Sequence, residues 1–260
     1  MSNKVFLLGS ICALALAVAS PALADNFSGL LSADYNKIDI KSGDGGSGDV
    51  WGLSGQGAGL LGDTGASAQI DGGWHRFTAS GNHAESWTID GSLFAMVNKG
   101  GRIGATAGYD DLTGHGFSGH VANYGLFGEW WANDMLTVGG KVGAFNGEGS
   151  DGYYASGLIR YYVMPDLGLN ASIDHTHANN NGEATAYTAS AEYLISDTMP
   201  ISVGVGGTYT NIAGEHANTY FLTLNYYCNG DASAVTLTQR QRAGGTLGWD
   251  TGFGGVLTKF

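Results

Sequence analysis

Charge is scarce in this 260-residue chain, at 13% of residues, and basic charge is scarcer still, with 11 Lys and Arg against 23 Asp and Glu. A formal charge of −12 excludes recognition of nucleic acid through its phosphates, which takes clustered Lys and Arg. Long apolar runs are confined to the N-terminus. Beyond Val5–Val18 no segment approaches the roughly 18–20 continuous apolar residues of a spanning helix. That run follows Lys4 and is closed by Ala22-Leu23-Ala24, the layout of a secretory signal cleaved after Ala24. Cys12 leaves with the signal, so Cys228 remains as a single thiol and an internal disulfide is excluded. Its plain reading is a free thiol near a strand end. No cofactor is implied. The exported chain is then soluble in the periplasm, secreted, or a membrane barrel.

What the chain has in quantity is glycine, 45 residues, and tyrosine, 13. Glycine alone can mean disorder, but here it accompanies strict alternation. In 200–210, Ile201, Val203, Val205 and Tyr209 share one parity, and Ser202, Gly204, Gly206, Thr208 and Thr210 share the other. Period two is the signature of a strand, whose successive side chains point to opposite faces. The same pattern predicts twelve strands over 29–37, 49–59, 65–74, 86–97, 102–110, 120–131, 135–145, 153–163, 167–175, 185–194, 200–210 and 218–227. The second and sixth are the least regular, so a count of ten or fourteen also fits. With one face apolar and the other polar throughout, the apolar side reads as facing lipid and the polar side as facing a wet interior. The fold class is all-β, an up-and-down antiparallel transmembrane barrel.

The connections read as alternating in length. Short ones fall at 62–64, 98–101, 132–134, 164–166 and 196–199, rich in Gly, Asn, Asp and Pro as tight turns demand. Longer polar ones are expected at 38–48, 75–85, 111–119, 146–152, 176–184 and 211–217, the layout of periplasmic turns and extracellular loops. An even strand count places both barrel termini on the periplasmic side. On the apolar parity, Tyr109, Tyr153, Tyr187, Tyr209 and Tyr220 lie toward the long connections. Tyr161, Tyr193, Tyr226 and Trp130 lie toward the short ones. Two tiers of this kind match the aromatic girdles at the two membrane interfaces.

On this pattern the chain resembles Gram-negative outer-membrane β-barrel proteins of the small porin-like kind, over about 27–228. The resemblance implies residence in outer-membrane lipid and contact with the barrel-assembly machinery, for which Phe260 looks like the terminal aromatic signal. The chain departs from the family at its end. Gly252, Gly254, Val256 and Thr258 make a poor last strand, and the convincing final strand ends near Tyr227. The domain reading is therefore signal 1–24, barrel 25–228, and a tail 229–260 that forms a periplasmic extension, a lumen plug or a misread strand.

Inward parity places Asp34, Asp71, Asp90, Lys141, Arg160, Asp174 and Glu192 along the interior, with acids in excess. Charges at membrane depth face a cavity or one another, so these are the candidate pore-lining residues for small hydrophilic solutes or cations. The alternative is a closed lumen in which they only stabilise a structural or adhesive barrel. The long connections carry Asp39, Asp44, Asp49, Glu85, Asp111, Glu148, Asp151 and Glu215 against Lys41 and Arg76, which predicts an acidic mouth and a cation preference. All seven histidines (His75, His83, His115, His120, His175, His177 and His216) fall in or beside those connections. His175 and His177 share a face and are a weak metal candidate with Asp174 or Glu215. A membrane-embedded hydrolase is the rival of another class, but no G-x-S-x-G elbow or other compact nucleophile motif is present, and the chain is not read as an enzyme.

Overall fold

The computed structural model describes residues 27–41, 46–79, 81–97, 100–114, 117–147, 150–179, 182–195, 200–212, 214–229 and 236–242. The signal, Phe260 and the segment from Gly252 to Thr258 lie outside the described residues, as do Asp44, His115 and Glu148.

Alternation is realised as twelve strands: β1 Phe27–Ile40, β2 Gly46–Leu60, β3 Ala66–Ala79, β4 Asn82–Met96, β5 Gly101–Gly114, β6 Phe117–Asn133, β7 Leu136–Gly147, β8 Ser150–Met164, β9 Leu167–Ala178, β10 Gly182–Leu194, β11 Ile201–Ile212 and β12 Glu215–Asn229. Each pairs antiparallel with its sequence neighbours, and β1 pairs with β12 from Ser28↔Asn229 to Ile40↔Ala217, closing the sheet. Closure leaves no unpaired edge. Following the register once round the wall gives a stagger of about 14 residues, which for twelve strands means a tilt of about 40° and a backbone radius of about 11 Å.

Side-chain parity sorts as the sequence predicts. Ile70, Leu93, Ile103, Tyr124, Leu126, Val142, Leu222 and Leu224 are all exposed on the outer face. So large an uncovered apolar belt is foreign to a soluble monomer and suits an apolar surrounding. Tyr109, Tyr153, Tyr187, Tyr209 and Tyr220, joined by Trp51, lie outward near one end; Tyr161, Tyr193, Tyr226 and Trp130 lie outward near the other. The second end, the terminal end, also holds both termini of the barrel, Phe27 and Asn229; the opposite end is distal.

The expected alternation of short and long connections is not found. Gaps between strands at the distal end are 41–45, 80–81, 115–116, 148–149, 179–181 and 213–214, no longer than those at the terminal end. The strands run past the distal aromatic tier, where the outer face meets water and turns polar, while the inner face still buries Val50, Phe145 and Tyr154. Outer parity then carries no signal, but the backbone ladder continues. One consequence is that Asp39, Asp49, Glu85, Asp111 and Asp151 sit on strands with outward parity, so they form a collar outside the rim and do not line an acidic mouth. Lys41 bonds Asp39, which raises the lysine's pKa, Tyr35 donates to Asp49 (2.5 Å), and Asn179 donates to Asp151 (2.9 Å).

Beyond β12 one further element is described, the short helix α1, Leu237–Arg242. Thr236 caps it, its hydroxyl accepting from the Gln239 backbone N–H (3.1 Å) while Gln239 Oε1 accepts from the Thr236 backbone N–H (3.0 Å), a reciprocal capping box.

Candidate functional site

The interior of the barrel is the candidate site, and it has two zones. All seven inward-parity charges, Asp34, Asp71, Asp90, Lys141, Arg160, Asp174 and Glu192, do point inward, and most are buried there.

The upper zone is an acidic wall on β1 to β5. Asp71 and Asp90 are direct register partners on β3 and β4, so two carboxylates face each other across the ladder. Like charges placed so are destabilising unless something compensates them. Asp110 on β5 extends the row: Asn123 on β6 donates from one amide nitrogen to both Asp90 (3.4 Å) and Asp110 (3.3 Å), and Thr88 donates to Asp110 (2.8 Å). Gln69 donates to Asp71 (2.8 Å). Asp34 on β1 reaches His75 on β3 at 3.4 Å, passing over β2. That reach exists because Gly52 lies between them: a Cβ there would come within 2.3 Å of both side chains. Gly108 does the same for Asp90, whose Oδ1 lies 1.6 Å from where a Cβ would be. On the opposite side Lys141 sits over the Tyr154 ring at 5.3 Å, and Ser172 donates to Asp174 (3.2 Å).

The lower zone, at the terminal end, is densely packed. Arg102 and Glu129 form a 3.1 Å ion pair from which solvent is excluded, and Trp131 donates to the same carboxylate (2.9 Å). Arg160 donates to Asn170 (2.5 Å), which donates in turn to Ser190 (3.2 Å). Glu192 accepts from Ser202, Asn225 (3.0 Å), Tyr227 (2.6 Å) and Gln241 (2.8 Å). The last of these partners belongs to α1, which lies across this end. Leu237 is fully buried against Leu30, Tyr162, Leu194 and Tyr227. Tyr162 donates to the Gln241 side-chain oxygen (2.8 Å), Gln241 donates to the Tyr227 hydroxyl (3.1 Å), and Arg102 donates to the Gln241 backbone carbonyl (3.4 Å). Arg242 donates to Thr137 (2.9 Å) and to the Asn133 carbonyl (3.0 Å), with its guanidinium over the Trp131 and Tyr162 rings. The helix thereby touches wall residues from β1, β5, β6, β7, β8, β10 and β12.

Among the described histidines, His75 alone faces the lumen, rather than lying in a connection as its position suggests. His175 and His177 have outward parity: His175 bonds Thr185 (3.0 Å), and His177 bonds Glu183 (3.2 Å) and stacks on Tyr153 (4.9 Å). Asp174 points the other way, because adjacent residues of a strand face opposite sides, so it cannot join them. Among the described residues no group of three or more His, Cys, Asp or Glu is placed to hold a metal ion. Cys228 is in no disulfide among the described residues and lies half-buried on the outer parity of β12.

The sequence reading missed Arg102, Asn123, Glu129, Tyr162 and Tyr227 as interior residues, and it placed Asp110 opposite Tyr109 without counting it among the interior charges. Arg102 and Asp110 share parity with Thr106 and were open to the same rule. Asn123 and Glu129 lie on the irregular sixth segment, where the rule was weakest.

No family model matches the chain, and no curated protein matches its sequence. Solved structures do match in fold. An outer-membrane channel from Pseudomonas putida F1 superposes with a TM-score of 0.60 at 15% identity, covering 77% of this chain and 94% of that one. The translocator domain of the autotransporter NalP from Neisseria meningitidis gives 0.55 at 12%, covering 86% and 98%. The KdgM porin, solved in complex with disordered oligogalacturonate, gives 0.50 at 14%, covering 75% and 98%. At these identities the likeness establishes the barrel fold.

Proposed function

We propose that this protein is an outer-membrane channel of the porin-like kind, passing small hydrophilic solutes passively and preferring cations. The observation that carries the reading is the carboxylate row Asp71–Asp90–Asp110, with Asp34 beside it, along a lumen of about 11 Å backbone radius. Gln69, Thr88 and Asn123 donate to these carboxylates and hold the row on the inner face of the wall. The row then concentrates cations and repels anions. The fold it shares with a Pseudomonas channel and a porin supports the same reading. The site includes no catalytic step. Export would follow cleavage near Ala24, and Phe260 would serve the assembly machinery.

The test is single-channel recording of the refolded protein in a planar bilayer under a salt gradient. Discrete steps with a cation-selective reversal potential are expected, and Asp→Asn changes at Asp71, Asp90 and Asp110 should move that potential toward zero. Anion selectivity at low salt would refute the role given to the row. A second reading, a closed structural barrel, is favoured by the packed terminal end. It predicts a folded, heat-modifiable protein that never conducts.

A further inference from the structure

We propose that Glu192, Tyr162 and Tyr227 form a latch for the carboxamide of Gln241, and that the helix it holds is a tethered gate across the terminal end of the lumen. The proposal rests on the channel reading above. Three observations lead to it.

First, α1 lies outside the barrel ladder. It follows the last strand, and side chains supply most of its attachment: the buried Leu237, the Gln241 carboxamide and the Arg242 guanidinium. The wall itself is held by continuous backbone pairing on every side and closes without the helix.

Second, the latch is specific. The amide nitrogen of Gln241 donates to Glu192 (2.8 Å) and to Tyr227 (3.1 Å), and its oxygen accepts from Tyr162 (2.8 Å). Three strands, β8, β10 and β12, thus converge on one side chain of the tail. Every polar atom of that side chain is matched, as in a bound ligand.

Third, the wall beneath the helix has the composition of a conduit. Glu192, Thr137 and Arg102 bond α1 directly, Glu129 pairs with Arg102, and Ser202 and Asn225 bond Glu192. A permanently sealed plug is served as well or better by apolar side chains, since buried ion pairs are often no more stabilising than hydrophobic replacements of similar volume. Outside the apolar seat of Leu237, the wall behind the helix is polar and can be rewetted when the helix leaves, because its charges regain water. Withdrawal of α1 therefore joins the acidic upper lumen to the terminal side.

The experiment uses the full-length chain, refolded, as wild type and as the variants Gln241→Ala and Leu237→Asp. Gln241→Ala removes only the latch. Leu237→Asp sets a charge in the helix's apolar seat. Heat-modifiable migration on a gel confirms the closed barrel in each, and Gln241→Ala carries the test alone if Leu237→Asp does not fold. Two readouts are taken: open probability in planar bilayers, and trypsin cleavage after Arg240 and Arg242 in detergent, scored by fragment mass. The expected result is a mostly closed wild type whose Arg240 and Arg242 resist trypsin. Gln241→Ala should raise open probability by at least about tenfold, the net worth of a single hydrogen bond. Leu237→Asp should be open most of the time and cut at both arginines. Equal conduction by all three would overturn the gate and leave the channel reading standing. Silence from all three folded proteins would overturn both.

Discussion

Replacing Glu129 by Ala measures directly whether the terminal end of the lumen is dry. Arg102 and Glu129 lie 3.1 Å apart with side-chain exposures of 0% and 2%, and the guanidinium also sits over the Phe94 and Trp131 rings. In a water-filled pore such a pair contributes about 0–1 kcal/mol, because solvent screens both charges. In a packed layer, deleting one partner strips the carboxylate from a buried guanidinium and costs about 3–5 kcal/mol. The two environments therefore predict losses that differ severalfold. The assay is urea unfolding of the refolded protein in lipid vesicles, followed by tryptophan fluorescence at low and high salt. A loss near the upper range, insensitive to salt, is expected. Glu129→Gln should cost less, since its side-chain oxygen can still accept from Trp131. The double change Arg102→Met with Glu129→Leu should recover most of the stability, because neither charge is left behind. A loss under about 1 kcal/mol for Glu129→Ala that shrinks further in salt would refute the dry layer, and with it the physical basis for a closed terminal end.

Two further outcomes test the wall. Leu126 lies on the outer face of β6 between the aromatic tiers, so Leu126→Arg should cost about 2–4 kcal/mol in vesicle unfolding, whereas Asp111→Arg in the distal collar should cost about 0–1 kcal/mol; equal costs would mean that the belt does not face lipid. Gly108→Ala places a methyl 1.6 Å from the observed Asp90 Oδ1, forcing the carboxylate away from Asn123, with an expected loss of about 1–2 kcal/mol and an unchanged strand signal in circular dichroism. Unaltered stability would show that the close approach of Asp90 to β5 is not needed.

The strands, their inward and outward faces, both aromatic tiers and the seven interior charges were legible along the chain. Each depends only on parity, a local property that survives any register. Ile201, Val203 and Val205 declare their face without reference to β10 or β12. Parity failed where its cause was absent. At the distal end, outward residues such as Asp49 and Thr78 face water in place of lipid, so the strand continues while the outer apolar parity stops. It also could not place His75, because an isolated polar residue near a connection reads the same on either face.

Contacts across the lumen were decided by tertiary structure alone. That Asp71 meets Asp90, that Asp34 reaches His75 over Gly52, and that Arg102 finds Glu129 all follow from the register fixed when the staggered sheet closes. The helix makes the point most strongly. Gln241 meets Arg102 across 139 positions of sequence and Glu192 across 49, and nothing local to LTQRQR announces a lumen seat. Periodicity tells a side chain which way to face, but only closure of the barrel determines what it faces.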